Sequence, residues 1–383
     1  MGFRTKQVHG GVTPDPTTGA ILTPIFQSTT FVQDSVDEYM SKGYSYSRGG
    51  NPTVRALEMK LMALEGARDA TAYTSGMAAT VAVFLALLEA GDSIVMGDVV
   101  YGGTYRFADR FLTKFGVEVA FVDTSDTEAV AGAIKPSTRL VFTETPANPT
   151  LKVTDLAAVS GICDEAGVLH VTDNTFLTPY FQRPFELGAD IVIHSTTKFL
   201  DGHNATLGGA VVVNDADLAD RIAFARLSAG LVMSPMVAWL TLQGSKTLSE
   251  RMDRQSASAL AIAEFLQTHE KVDYVNYPGL PDHPQHELSS KQATGYGAMV
   301  CFEVHGGVEA AKRLMDGIEL WSLAENLGSV ESLVTHPVTM THAAMPPARR
   351  LACGITDGLV RLSVGLEDVE DLINALDDAL KKT

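Results

Sequence analysis

From residue 51 onward the chain alternates between helix-period and strand-like hydrophobic patterns. Asn51-Pro52 supplies a capping side chain followed by a proline suited to the first helical turn; Leu57, Leu61 and Leu64 then recur at helical spacing, and Gly66 closes the segment. A second helix is predicted from Ser75 to about Ala90, stopping at Gly91. Short apolar, β-branched runs follow: SIVM, VEVAFV, TRLVFTE, VLHVTD, ADIVIHS and GGAVVV. Helical segments such as DTEAVAGAI and DLAAVSGICDEAG lie between several of them. Strand and helix in alternation predict an α/β fold with a mostly parallel sheet covered by helices on both faces.

After about Asp217 the pattern changes. A long helical stretch runs through Ser256–Gln267, two strands are predicted in VDYVNYP and GAMVCFEV, and helices follow near Val308–Met315 and Val369–Lys381. This predicts a smaller α+β domain over residues 246–383 behind a large domain over 51–245. The first 50 residues have little periodicity and many Thr, Pro and Gly. They read as an arm, and an arm of that length is expected to dock on something.

Composition narrows the function. The 383 residues carry 29 Lys and Arg against 46 Asp and Glu, a formal charge of −17, so nucleic acid and anionic membranes are not expected partners. Three widely separated cysteines, Cys163, Cys301 and Cys353, give neither a disulfide framework nor a zinc motif, and fit a reducing cytoplasm. The start MGFRTKQVHGG lacks the apolar core of a signal peptide. No H-E-x-x-H, Walker A, G-x-G-x-x-G or G-x-S-x-G occurs, so no metal site is expected and the usual triad, nucleotide and dinucleotide readings are unsupported.

Ligands of open parallel sheets gather where strands end. Ser75-Gly76-Met77 opens a helix; Ser75 is either an ordinary cap or part of an anion site. Asp173 closes VLHVTD and is either a turn residue or the partner of a cationic ring nitrogen. ADIVIHSTTKFLDGH places Ser195, Thr197 and Lys198 just past a strand, so the lysine is either a solvated charge or an imine-forming amine beside phosphate-binding hydroxyls. Tyr101 either packs on the core or stacks on a planar ring. Asn148 is a turn residue or a donor, and Arg361, in a strand-like run, needs an anion if buried. Together these are the parts of a pyridoxal phosphate site: an amine, an acid for the pyridine nitrogen, phosphate donors, a stacking ring and an arginine for an amino-acid carboxylate.

The order and wording of the segments resemble the Cys/Met-metabolism family of pyridoxal phosphate enzymes, the trans-sulfuration enzymes, over nearly the whole chain. TKQVHGG, YSRGGNPT, TSGMAA, YGGTYR, ETPANPT, DNTF, HSTTKFLDGH, ENLGSVESL and DGLVRLSVGLED carry the resemblance. It implies the aspartate-aminotransferase-like fold of type I and pyridoxal 5′-phosphate held as an imine on Lys198. Asp173 and Thr175 would serve the ring, and Ser75, Gly76, Met77, Ser195 and Thr197 the phosphate. Tyr46 and Arg48 would reach the phosphate in a neighbouring subunit, within a homotetramer built from catalytic dimers. Tyr101 would stack on the ring and assist proton transfer, and Arg361 with Asn148 would clamp the substrate carboxylate.

The resemblance also bears on the substrate. Methionine γ-lyases typically carry a cysteine where this chain has Gly103. Arg106 and Glu325 match residues that receive the distal, polar end of the substrate in cystathionine γ-lyases and γ-synthases, and Thr341 matches a further substrate position. Asn326 replaces the family's usual serine beside the carboxylate pocket, and HNATLGG after Lys198 departs from the commoner wording. The expected reaction is γ-elimination or γ-replacement on a sulfur amino acid, of the cystathionine γ-lyase or γ-synthase type. Methionine γ-lyase or O-acyl-homoserine sulfhydrylase activity is the alternative within the family. A non-catalytic binding protein on the same fold would be expected to lack the lysine or the acid, and both are present.

Overall fold

The structure is a computed structural model that describes residues 1–343 and 345–383. Its strands, in chain order, are β1 (Asp69–Tyr73), β2 (Ser93–Gly97), β3 (Glu118–Val122), β4 (Thr138–Glu144), β5 (Leu169–Asp173), β6 (Ile191–His194), β7 (Gly209–Val213), β8 (Val272–Asn276), β9 (Met299–Val304), β10 (Ser322–Leu323), β11 (Leu333–Thr335) and β12 (Leu359–Ser363). The chain divides into two compact units, Met1–Leu88 with Asp190–Leu248, and Glu89–Ala189 with Ser249–Thr383.

In the first unit β7 pairs antiparallel with both β1 and β6. Every residue of β6 and β7 is buried, as their unbroken apolar wording requires. The helix Pro52–Glu65 starts where Asn51 accepts the Thr53 amide and ends at Gly66, whose φ of 75° is the left-handed turn that glycine tolerates. Its Leu57, Leu61 and Leu64 are fully buried, each contributing about 2 kcal/mol through removal from water. The helix Gly76–Leu87 is capped by the Ser75 hydroxyl, which accepts the Ala78 amide at 3.1 Å. It ends three residues earlier than its apolar text predicts.

In the second unit β3, β2, β4 and β5 pair side by side, all parallel. Val95, Val130, Val141, Val159, Cys163 and Val168 form a core cluster beside them, placing one apolar face of the helices Thr127–Ala133 and Leu156–Ala166 inward. A five-stranded sheet in the order β10-β11-β12-β9-β8 completes this unit. The helix Val369–Leu380 buries Leu372, Leu376, Ala379 and Leu380, an amphipathic stripe at helical spacing.

The α/β class and the mostly parallel, helix-flanked sheet agree with the reading from periodicity. A helix at Phe3–His9 was not legible in the aperiodic start of the chain. It is held from outside: the fully buried Lys60 donates to the Gln7 carbonyl at 2.7 Å. Tertiary contact here overrides a weak local signal. Among the described residues no helix is long and apolar enough to cross a membrane.

Candidate active site

The sequence-predicted residues fall into two sets, one in each unit. In the first unit, β6 ends at His194 and the chain turns through Ser195–Gly202. The Lys198 amide donates to the Ser195 carbonyl at 3.2 Å, and the Gly202 amide to the Lys198 carbonyl at 2.8 Å. The strand end is fixed from behind by His194, whose Nε2 lies 2.6 Å from Glu65 Oε1 with both side chains fully buried. Asp201 accepts the Ala205 amide at 3.1 Å and orders the next turn.

This loop lies against the start of the helix Gly76–Leu87. A Cβ on Gly76 would come within 2.8 Å of the Ser195 Cβ, and one on Gly209 within 2.2 Å of the Ser75 carbonyl oxygen. Glycine at both positions permits the close approach. The helix-start amides of Gly76 and Met77 and the Ser195 hydroxyl therefore belong to one small region, a donor set that fits a phosphate dianion. Thr197 is arranged differently. Its hydroxyl donates to the Gly208 carbonyl at 3.1 Å and accepts the Gly208 amide at 3.0 Å, so here its proton serves the loop.

Tyr46 and Arg48 lie in the arm. Tyr46 is 45% exposed, the Arg48 guanidinium stands 5.6 Å from its ring centre, and Arg48 Nη1 donates to the Leu227 carbonyl at 2.9 Å. The arm is held by Thr53, whose hydroxyl donates to the Pro24 carbonyl, and by Trp239, whose indole donates to the Thr23 carbonyl.

In the second unit, β4 and β5 end side by side, with Glu144 opposite Asp173 in the register. Asp173 Oδ1 accepts the Thr175 amide at 2.9 Å, which fixes the carboxylate at the strand end. Such an acid suits a pyridinium nitrogen. Tyr101 is 44% exposed and begins the helix Gly102–Phe107. Its ring is therefore available for stacking while its backbone is fixed: the Tyr101 amide donates to Glu144 Oε2 at 2.8 Å.

Arg361, in the middle of β12, is buried. Nη1 donates to Asn148 Oδ1 at 2.8 Å, and Nη2 donates to the Asn326 carbonyl at 3.1 Å and the Thr335 hydroxyl at 3.2 Å. All three acceptors are neutral, and among the described residues no carboxylate lies within ion-pairing distance of it. Burial pulls its pKa down, and the charges of nearby Glu325 and Glu144 act the other way. A buried guanidinium supplied only with neutral acceptors is prepared for an anion arriving from outside. Asn326 enters this arrangement through its backbone carbonyl.

Arg106 and Thr341, far apart in sequence, line one small cavity of about 20 Å³ with Tyr105, Arg110 and His342. Arg106 and Glu325 are exposed. Gly102 abuts the same segment, since a Cβ there would lie 2.7 Å from the Thr341 carbonyl oxygen. His342 is held neutral: burial, and then the charge of Arg361, push it down to about 4.

Two residues escaped the sequence reading. Glu144 stands inside the quoted ETPANPT but only Asn148 was singled out there; its visible signal is that TRLVFTE, like VLHVTD, ends in an acid. Glu65 pairs with His194 across 129 positions, and no local pattern announces it.

Comparison with known proteins gives the family. The chain belongs to the Cys/Met metabolism PLP-dependent enzyme family, whose model matches residues 4–381. It is 46% identical over 381 residues to cystathionine gamma-lyase of Bacillus subtilis, covering 100% of both chains. It is also 46% identical over 380 residues to cystathionine beta-lyase of Lactococcus lactis, covering 99% of each. Among solved structures, cystathionine gamma synthase from Xanthomonas oryzae, in complex with aminoacrylate and cysteine, matches with a TM-score of 0.97 at 41% identity, covering 100% of this chain and 98% of that one. The chain is a pyridoxal phosphate-dependent enzyme of fold type I.

Proposed function

We propose that this enzyme performs γ-elimination or γ-replacement on sulfur amino acids, of the cystathionine γ-lyase or γ-synthase type. As a lyase it converts cystathionine and water to cysteine, 2-oxobutanoate and ammonia; as a synthase it joins cysteine to an activated homoserine. The observation that carries the proposal is Arg361, a buried cation held by three neutral acceptors, with Glu325 near enough to influence it. An α-carboxylate completes the arginine. Arg106, with Thr341, and Glu325 offer opposite charges to a zwitterionic distal end, which methionine lacks.

Bound pyridoxal phosphate supplies an electron sink for negative charge developing at the substrate Cα. The roles of this chain's residues follow. Lys198 would hold the cofactor, and its amine would take a proton from the substrate Cα and then from Cβ, as reaction at Cγ requires. Asp173, held by the Thr175 amide, would keep the ring nitrogen protonated. Tyr101 would stack on the ring and move a proton at the leaving sulfur. The Gly76 and Met77 amides and the Ser195 hydroxyl would hold the phosphate, with Ser75 capping that helix, and Thr197 would join them by exchanging its bond to Gly208. Arg361 and Asn148 orient the α-carboxylate, and Asn326 holds the arginine in place.

In this reading residues 1–50 are an arm that brings Tyr46 and Arg48 to a neighbouring subunit, 51–245 bind the cofactor and 246–383 form the small domain. The working form is a cytoplasmic homotetramer of catalytic dimers. The purified enzyme should be assayed side by side on cystathionine, on methionine, and on acetyl- and succinyl-homoserine with cysteine or sulfide. Cystathionine cleavage or formation is expected to dominate. Efficient turnover of methionine, or sulfide capture with no cystathionine reaction, would overturn the assignment.

A further inference from the structure

Glu144 is a buried acid with no role in the mechanism above, yet it touches the backbone of two residues that have one. It closes β4 directly opposite Asp173 at the end of β5. In parallel strands, residues paired in this way point to the same face, so two carboxyl groups stand together. The two oxygens of Glu144 are divided between two loops: Oε2 accepts the Tyr101 amide at 2.8 Å, and Oε1 accepts the Asn148 amide at 3.1 Å. Asn148 in turn holds Arg361 at 2.8 Å. A chain of contacts thus runs from the ring-stacking tyrosine, through one carboxyl group, to the arginine for the substrate carboxylate.

A cap for loose amides does not require an acid in this place. A hydroxyl or a carboxamide would satisfy a single amide without bringing charge beside Asp173. Burial, followed by the charge of Asp173, pushes the Glu144 pKa up, while the two amides and Arg361 act in the opposite direction. Only a carboxyl group offers one acceptor oxygen to each of two donors on separate loops.

We propose that Glu144 is a positioning residue that locks the Tyr101 loop and the Asn148 turn to the strand ends that carry Asp173, so that cofactor stacking and substrate-carboxylate binding are set by one shared anchor. This rests on the assignment of Tyr101, Asn148, Asp173 and Arg361 to cofactor and substrate. It adds that the two functions are coupled. Loosening Glu144 disturbs the fixed orientation of the ring and weakens the carboxylate clamp together, although Glu144 itself touches neither group.

The test compares wild type with Glu144→Gln and Glu144→Ala. Gln keeps the shape but can accept from only one of the two amides, whereas Ala accepts from neither. The first readout is amide exchange in the protein without cofactor, over peptides covering 98–106 and 144–150. Exchange should quicken on the order of tenfold in one peptide for Gln and in both for Ala, the effect of losing a buried hydrogen bond. The second is the visible circular dichroism of the bound cofactor, which should weaken in the same order while thermal melting of the Gln variant stays close to wild type.

The third readout is a double-mutant comparison. Asn148→Ala should raise KM strongly in wild type and much less in the Glu144→Ala background, because the anchor of that turn is already lost. Should Glu144→Ala not fold, the same comparison is made with Glu144→Gln. Unchanged exchange and circular dichroism in the Gln variant, or KM effects that simply multiply, overturn the proposal. A wild-type protein that binds no cofactor would instead overturn the functional assignment, so the two failures are distinguishable.

Discussion

Arg361→Met separates recognition from stability. Arg361 is buried, gives hydrogen bonds to three neutral acceptors and has no carboxylate partner among the described residues. Removing one member of a buried, hydrogen-bonded charge pair costs roughly 2–5 kcal/mol of binding. At about 1.4 kcal/mol per decade, that is a loss of about 30-fold to several thousand-fold in affinity for the amino acid. Folding responds differently. Methionine removes a desolvated charge, which relieves a penalty of several kcal/mol. It also strands the Asn148, Asn326 and Thr335 acceptors, at about 1–3 kcal/mol each. The two sides offset, so melting should move by only a few degrees. The assay is spectrophotometric titration of the bound cofactor with substrate and with the amine that lacks its α-carboxylate. The variant should lose the amino acid by the factor above and bind the amine as wild type does. Equal weakening of both, or collapse of the fold, would refute the assignment of Arg361 to the carboxylate.

Three further outcomes are expected. Lys198→Ala should abolish turnover, and borohydride should shift the visible absorbance of wild type and leave a pyridoxyl label on the Lys198 peptide; sustained turnover by the variant would exclude Lys198 as the essential base. Glu325→Ala should raise KM for cystathionine by about tenfold or more, as expected when a distal charge contact is lost, and leave methionine nearly unaffected; equal effects would remove the charge argument for cystathionine. Lys60 sets a pH dependence of stability, since burial, and then Lys246, pull its pKa down to about 8. Between that value and the ordinary value near 10.4, the unfolded chain binds a proton that the folded chain does not. Stability therefore rises with pH across this window and carries the full penalty below pH 8. Urea unfolding at pH 7.5 and 9.5 should differ between wild type and Lys60→Met by about 1–2 kcal/mol, and an identical pH response in both would show that Lys60 is not the group titrating.

Much of the architecture was legible because periodicity reports burial. Runs such as GGAVVV and SIVM are apolar on both faces and became fully buried strands, while Asn51-Pro52 and Gly66 bracketed a helix through local capping chemistry. The helix Phe3–His9 was hidden because its text, FRTKQVH, is polar and its order comes from Lys60, more than fifty residues away. The candidate residues were chosen by type, since lysine, acid, aromatic and arginine are the chemistry the cofactor needs. What type could not convey was how each is held. Thr197 was expected to face a phosphate, but its hydroxyl bonds to Gly208, a partner set by the return of β7. Glu144 reads as one acid among 46 acidic residues until the β4–β5 register places it beside Asp173 and its two oxygens meet amides from two loops.

Relatives at 46% identity include both a γ-lyase and a β-lyase, which break different carbon–sulfur bonds. Cystathionine itself distinguishes them. Purified enzyme with pyridoxal phosphate and either cystathionine, or cysteine with acyl-homoserine, should react at Cγ, releasing 2-oxobutanoate and cysteine in equal amounts as a lyase or forming cystathionine as a synthase, measured by chromatography of the products. Pyruvate with homocysteine would contradict the account, because it would place the cleavage at Cβ and leave the second deprotonation by Lys198 without a purpose.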